Sequence, residues 1–529
     1  MKKSLFAFLF VLSASVSLVF CAPEPSAERP KRFDAGLQRN FTIIEYPHEY
    51  NLDPQTANYS NEAQLFTGLY EGLFSYDPYS LDPVPALASS YKISRDKKTW
   101  TFTIRENARF SNGDDITSYT IKNSWLKLLD PNVDAPFASL LDCVEGAEAY
   151  RTGKGSADDV GIEAQDKTTL AVRLLMPTEH LNRILCHHAF AVVHPSGIRD
   201  NVFSGPFALK EYGADRIVLE KNAFYHSAAD VALPSITVIF SEDQEENAYL
   251  INMGDADWSV SANPDKLLDQ RAIKVYSEFG TEYFFFKADR FPWNVAEFRS
   301  ALLTAVPWDK LRAQAHVPAK TFIYSLHGYS SPSGLTEYDA AEARKMLTAA
   351  KKSAGIGEND TVNLTIAISN SEYMKAQAQI LKAAWEEIGI TVEVQTTPPS
   401  RYLESIESWK ADLFTYTWIG DFADPVAFLE LYRGDSTLNI TEWKNAEFDD
   451  LLSRASACSN STERFQLLSK AEEVLLNSGA VIPVSHPVSV NVIDTNMVGG
   501  WYVNTLDIHP YKYLYFTGRM RAIPNLARQ

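Results

Sequence analysis

Between residues 362 and 418 two periodicities alternate, and that alternation constrains the fold more than any other feature of the chain. "NLTIAI" (residues 363–368) and "ITVEV" (residues 390–394) are apolar, β-branched runs of strand length. Between them Met374, Ala378, Leu381, Ala384, Trp385 and Ile388 recur on one helical face, and Gly389 follows as the stop. "LFTYTW" (residues 413–418) then reads as a further strand. Strands that alternate with helices predict an α/β fold with a mostly parallel sheet, in which ligands bind in loops beyond the carboxyl ends of the strands.

Other segments repeat parts of this grammar. In "WTFTIR" Trp100, Phe102 and Ile104 share one face of a strand; Asn112-Gly113 turns the chain, and Thr117 caps a helix carrying Ile121, Trp125 and Leu128. Near residue 205, Phe207 to Leu209 and Ile217 to Leu219 read as a hairpin around Gly213. The polar "SEDQEENAY" (residues 241–249) opens a helix. No fixed-period repeat marks a solenoid or propeller.

Length and composition bound the rest. A chain of 529 residues with 45% hydrophobic and 22% charged content can bury two or three cores. Its 49 Lys and Arg against 67 Asp and Glu leave a net charge of −18, which disfavours nucleic acid and anionic membrane as partners. Lys2 and Lys3 precede an apolar run from Leu5 to Phe20, too short to span a membrane and laid out as a secretory signal. The run ends at Cys21 and a proline-rich polar segment, the layout of a lipoprotein signal in which Cys21 is acylated. Bulky Phe20 stands where such signals carry a small residue, and cleavage nearer Ser15 or Ser17 is the competing reading. Cys143, Cys186 and Cys458 are too sparse for a disulfide scaffold.

The chain has no phosphate-loop, zincin, paired-cysteine or nucleophile-elbow motif, so no cofactor and no enzymatic activity is expected. "CHH" at Cys186, His187 and His188 reads as ordinary structure, because adjacent side chains diverge and no second ligand cluster accompanies them. In "TWIGDFADPVAFL" two aspartates follow the inferred strand. Asp424, before Pro425, is the expected cap of a helix. Asp421 has no such job and lies in a short loop beside Trp418, where a carboxylate can meet a ligand ammonium or remain a solvated loop acid.

"YEGLF" (residues 70–74), "WTFTIRENARFSNGDDIT" (residues 100–117), "SGPFALKEY" with "IVLEKNAFY" (residues 204–225) and "TWIGDFADPVAFL" (residues 417–429) occur in an order that resembles the oligopeptide-binding proteins of ABC importers; "NLDPQ" and "GDADW" fit as well. The resemblance spans nearly all of the mature chain. It implies a two-lobed periplasmic-binding-protein-like fold (class II, large cluster C type) with an extra inserted domain. The expected parts are a signal peptide at 1–20, a tether at 21–36, lobe I at 37–75 with 205–285 and 498–529, the inserted domain at 76–204, and lobe II at 286–497. It also implies that Asp421 pairs with a peptide α-ammonium, that Trp418 and Thr417 line the ligand site, and that Phe137 and Asn439 fall near it. The expected partners are a peptide and an ABC permease, with membrane attachment through Cys21, a monomeric state and no nucleic acid. Arginines that some relatives use for the peptide carboxylate have no counterpart between Ser405 and Tyr416, where Lys410 alone is basic; Lys320 is a substitute. A nickel chelate, haem or oligosaccharide ligand, an adhesin role, and an envelope hydrolase are the alternatives.

Overall fold

A computed structural model describes residues 39–519, apart from 179, 327, 399–400, 403–405, 407, 421, 437 and 459. The expected signal, the tether, Cys21 and Asp421 lie outside the described residues.

The β-α-β unit forms as its periodicity requires. Val362–Ser369 and Ile390–Thr397 are strands paired in parallel register, joined by the helix Glu372–Ile388. Ser371 caps that helix at Met374 N, and Gly389 ends it at φ 103°, a conformation that costs a side-chain-bearing residue. The Thr117-capped helix Ser118–Leu128, the hairpin Phe207–Tyr212 with Arg216–Lys221, and the helix Gln244–Met253 capped by Asp243 also form.

Three sheets organise the protein. A seven-stranded sheet runs in the order Ile273–Ser277, Val488–Ile493, Trp258–Ser259, Phe41–Glu45, Ser235–Phe240, Arg216–Lys221, Phe207–Tyr212. A six-stranded sheet runs Val317–Pro318, Val481–His486, Gly280–Phe286, Leu413–Ile419, Val362–Ser369, Ile390–Thr397. Between residues 88 and 173 a four-stranded antiparallel sheet contains Ala88–Ile93, Thr99–Ile104, Thr169–Arg173 and Ile162–Ala164.

The expectation of a mostly parallel sheet is wrong for the six-stranded sheet. Parallel pairing is confined to Val362–Ser369 with its two neighbours, whereas Gly280–Phe286 pairs antiparallel on both sides. Strands brought from distant parts of the chain need no helical crossover to pair this way. Two expected lobe edges also differ from sheet membership: Gly280–Phe286 joins the six-stranded sheet, and Val488–Ile493 joins the seven-stranded one. The cause is the way the chain crosses between the sheets. Ile273–Ser277 continues through residues 278–279 into Gly280–Phe286, and Val481–His486 continues through Pro487 into Val488–Ile493. The two crossings run side by side, with Glu278 N–H donating to Pro487 O at 3.0 Å.

One continuous apolar core joins the four-stranded sheet and its helices to the inner face of the six-stranded sheet, from Phe102 and Trp125 through Phe137 to Trp418 and Phe428. Such continuity places the facing walls of the molecule in contact around what they enclose.

Candidate functional site

Two adjoining chambers lie against the six-stranded sheet, beside its strands Gly280–Phe286 and Leu413–Ile419. The first, about 410 Å³, takes its walls from the helix Ser60–Leu69 and the segment after it, from Phe137 and residues 186–188, from strand residues 415–419, and from residues 506–510. The second, about 370 Å³, is bounded by residues 130–138 and by Tyr283 and Tyr432. Asn58, Phe137, Tyr416 and Trp418 line both and form the partition. Both volumes fall in the range of small-ligand sites.

The strand Leu413–Ile419 positions the partition. Its ladder to Gly280–Phe286 is complete, but on its other side it pairs only at Leu413 and Phe414, with Ile366 and Ala367. Beyond Phe414 that edge faces the first chamber. Gly420 N–H bonds Phe279 O at 2.7 Å on the ladder side, whereas Thr415 N–H goes the opposite way, to the Tyr402 hydroxyl at 2.8 Å. Alternation along a strand then directs the Thr417 N–H and C=O to the open edge. Trp418 is nearly buried, and its indole N–H donates to Ala427 O at 2.8 Å, so the ring is fixed as a wall. Gly420 is required by packing: a Cβ there would lie 2.5 Å from the Phe279 ring and 2.8 Å from the Phe428 ring.

Phe137 is buried against the His187 and His188 rings, with centroids 4.3 and 5.5 Å away, and stands 6.4 Å from Trp418 across the partition. Trp418, Thr417 and Phe137 are therefore brought together. Asn439 is not among them. Its amide donates to Arg433 O and Trp443 O and accepts from the Thr441 hydroxyl, which ties the turn whose Leu438 and Ile440 line the second chamber; Asn439 itself lines neither. Lys320 and Lys410 are exposed and line neither chamber.

Sequence reasoning missed several wall residues. Cys186, His187 and His188 all line the first chamber. His188 Nδ1 lies 2.8 Å from Pro54 O, and burial, with His187 beside it, holds its pKa well below the usual value, so the ring is a neutral wall. Among the described residues no group of three or more His, Cys, Asp or Glu is arranged to hold a metal ion. Glu71, within "YEGLF", also lines the chamber while receiving Lys512 Nζ at 2.5 Å, His226 Nε2 at 2.8 Å and the Tyr225 hydroxyl at 2.9 Å. Burial works to raise its pKa, but Lys512 and His226 outweigh burial and hold the carboxyl at about 2. A motif match flags Glu71; the partners that neutralise it lie 155 and 441 residues away.

Asp424 does more than cap. Its Oδ1 accepts from Val426 N at 3.0 Å, as the Asp-Pro pair suggested. The same buried carboxylate also takes a two-pronged pair from Arg464, Nη1 to Oδ2 at 2.7 Å and Nη2 to Oδ1 at 2.8 Å. This pins the loop after the strand to the helix Ser461–Asn477.

The chain is 27% identical over 511 residues to the dipeptide-binding protein DppE of Bacillus subtilis, covering 91% of this chain and 93% of that one. Among solved structures it resembles the Escherichia coli murein tripeptide-binding protein MppA, with TM-score 0.79, 24% identity and coverage of 90% of this chain and 98% of that one. It also resembles Haemophilus influenzae OppA in complex with RPPGFSPFR, with TM-score 0.77, 22% identity and coverage of 91% and 99%. The model of the middle region of the bacterial extracellular solute-binding proteins, family 5, matches residues 82–439. With that match spanning well over half of the chain, the protein belongs to the family 5 bacterial extracellular solute-binding proteins.

Proposed function

We propose that the protein captures oligopeptides in the two-chambered cleft and presents them to an ABC permease. The observation that carries this reading is the open edge of the strand Leu413–Ile419, which offers the Thr417 N–H and C=O to an extended backbone inside an otherwise apolar enclosure. A peptide adding itself along that edge satisfies its own donors and acceptors through main-chain bonds, which are blind to side-chain identity. Asp421, directly after Gly420 in sequence, supplies the counter-charge for the α-ammonium. Relatives named for dipeptide and murein tripeptide binding, and a neighbour solved with RPPGFSPFR, support a peptide as the cargo. The adjoining crossings at residues 278–279 and 487 form the hinge about which the lobes part. Acylation at Cys21 tethers the carrier beside its permease; intact-mass analysis showing an unmodified mature N-terminus would exclude this anchor.

Mass spectrometry of ligand released from gently purified protein tests the cargo. Titration calorimetry with free and N-acetylated forms of the same peptide tests the ammonium site. Asp421→Asn should weaken free-amine peptides by about 2–5 kcal/mol, the usual cost of removing one member of an enclosed charge pair, and should barely alter acetylated ones. Equal affinity of both proteins for a free-amine peptide would refute the role of Asp421.

A further inference from the structure

The cleft is asymmetric in charge. Among the described residues lining the first chamber there is no lysine or arginine; its two carboxylates are Glu71, already neutralised by Lys512, and Glu282. In the second chamber the described charged residues are Asp130, Asp134 and Arg151, and Arg151 is spent on Asp142, donating through Nε at 2.7 Å and again through Nη2. Every cation on these walls is thus matched by an acid of the protein's own.

Glu282 is different. It sits in Gly280–Phe286 directly opposite Thr417, so the two side chains share the face of the sheet beside the open edge. Against Val481–His486 the register slips between Glu282 and Tyr283, and a bulge at this point re-aims the side chain relative to a regular ladder. The carboxyl is half-buried, it lines the first chamber, and no described lysine, arginine or histidine forms an ion pair with it. Burial pushes its pKa above the usual carboxylate range, and the Tyr373 phenol offsets this only in part. A carboxyl with a phenol partner but no counter-charge among the described residues, kept at the wall of a mostly apolar enclosure, carries a desolvation cost that a ligand cation offsets.

From this placement we infer that the protein selects cationic peptides, with Glu282 receiving the ammonium or guanidinium of a ligand side chain lying next to the Thr417 edge. The inference rests on the peptide-binding reading and deepens it from "peptide" to "peptide with a basic side chain". Glu282 acts on side-chain charge, apart from the α-ammonium assigned to Asp421. A glutamate side chain at the same subsite would face Glu282 without any free cation among the described walls, so acidic peptides are rejected.

The test is titration calorimetry of the full mature protein with free-amine tripeptides and tetrapeptides of otherwise alanine sequence, in which each position in turn is lysine, norleucine or glutamate. Norleucine keeps the aliphatic stem without the charge. At one position the wild type should prefer lysine over norleucine by about 10- to 100-fold and bind glutamate most weakly. Glu282→Gln, which keeps shape and hydrogen-bonding capacity, should abolish the lysine preference while leaving norleucine peptides within about threefold of wild type. Norleucine peptides that bind as tightly as lysine peptides at every position would overturn the inference while leaving peptide binding intact. A lysine preference that survives Glu282→Gln would overturn the role of Glu282. Failure of every peptide to bind folded wild-type protein would overturn both this inference and the peptide-binding reading.

Discussion

Replacing Asp424 by asparagine distinguishes the sequence expectation from the structural one. As a cap alone, Asp424 would tolerate the change, since asparagine caps helices as well as aspartate does. In the structure, however, Asp424 is 4% exposed and Arg464 9% exposed, and their two hydrogen bonds of 2.7 and 2.8 Å form a closed pair. Asparagine keeps the bond to Val426 N but leaves the Arg464 guanidinium buried without a counter-charge. Removing one partner of such a pair costs about 3–5 kcal/mol, whereas replacing both by apolar groups of similar volume is often near neutral. If the region around the helix Ser461–Asn477 unfolds as a unit of about 200 residues, this corresponds to a fall in melting temperature of roughly 6–20 °C. Calorimetric melts of Asp424→Asn, Arg464→Met and the double variant form a complete cycle. The double variant should recover much of the loss suffered by either single one. Burial works to raise the Asp424 pKa, but Arg464 prevails and lowers it. The pair therefore contributes fully above the unfolded aspartate pKa and is lost as pH falls through the lower folded value. A melting temperature for Asp424→Asn within 2 °C of wild type near pH 7 would refute the argument and return Asp424 to a simple cap.

Four further outcomes follow from named contacts. Gly280→Ala brings a Cβ within 2.5 Å of Ile419 Cδ1 and 2.8 Å of Pro487 Cγ at the chain crossings; it should cost about 1–3 kcal/mol and slow ligand-induced closure, read by melting and by stopped-flow tryptophan fluorescence. The buried Glu472 carboxyl accepts from Ile323 N at 2.8 Å and the Tyr329 hydroxyl at 2.6 Å, and burial pushes its pKa to about 7. Since the folded state holds that proton more tightly than the unfolded one, melts from about pH 8 to about pH 5 should show added stability toward lower pH, absent in Glu472→Gln. The same titration logic at Glu282 means that lysine-peptide affinity should fall on acidification more than norleucine-peptide affinity does, measured by calorimetry across that range. Cys143, Cys186 and Cys458 are free thiols, and burial pushes Cys143 up to about 12, so reduction should leave the melting temperature unchanged; a drop of about 5 °C or more would reveal a bridge.

The sequence by itself determined the local structure and the family. The alternating apolar faces of residues 362–418, the glycine stop at Gly389, the Thr117 cap and the hairpin near residue 210 are short-range signals, because periodicity and capping are properties of neighbouring residues. The motifs likewise pointed to Thr417, Trp418 and Phe137; the fold places Trp418 and Phe137 on the partition and Thr417 on the wall of the first chamber. Only the tertiary structure decided which strands became neighbours. Glu71 met Lys512, Arg464 reached back to Asp424, and Glu282 came to lie opposite Thr417, through contacts spanning 40 to 441 residues. It also sent Asn439 into a turn and turned Cys186, His187 and His188 into chamber wall. Local periodicity reports which face of an element is apolar; it carries no information on which distant face will cover it, because that choice is made by shape and charge complementarity across the whole packed chain.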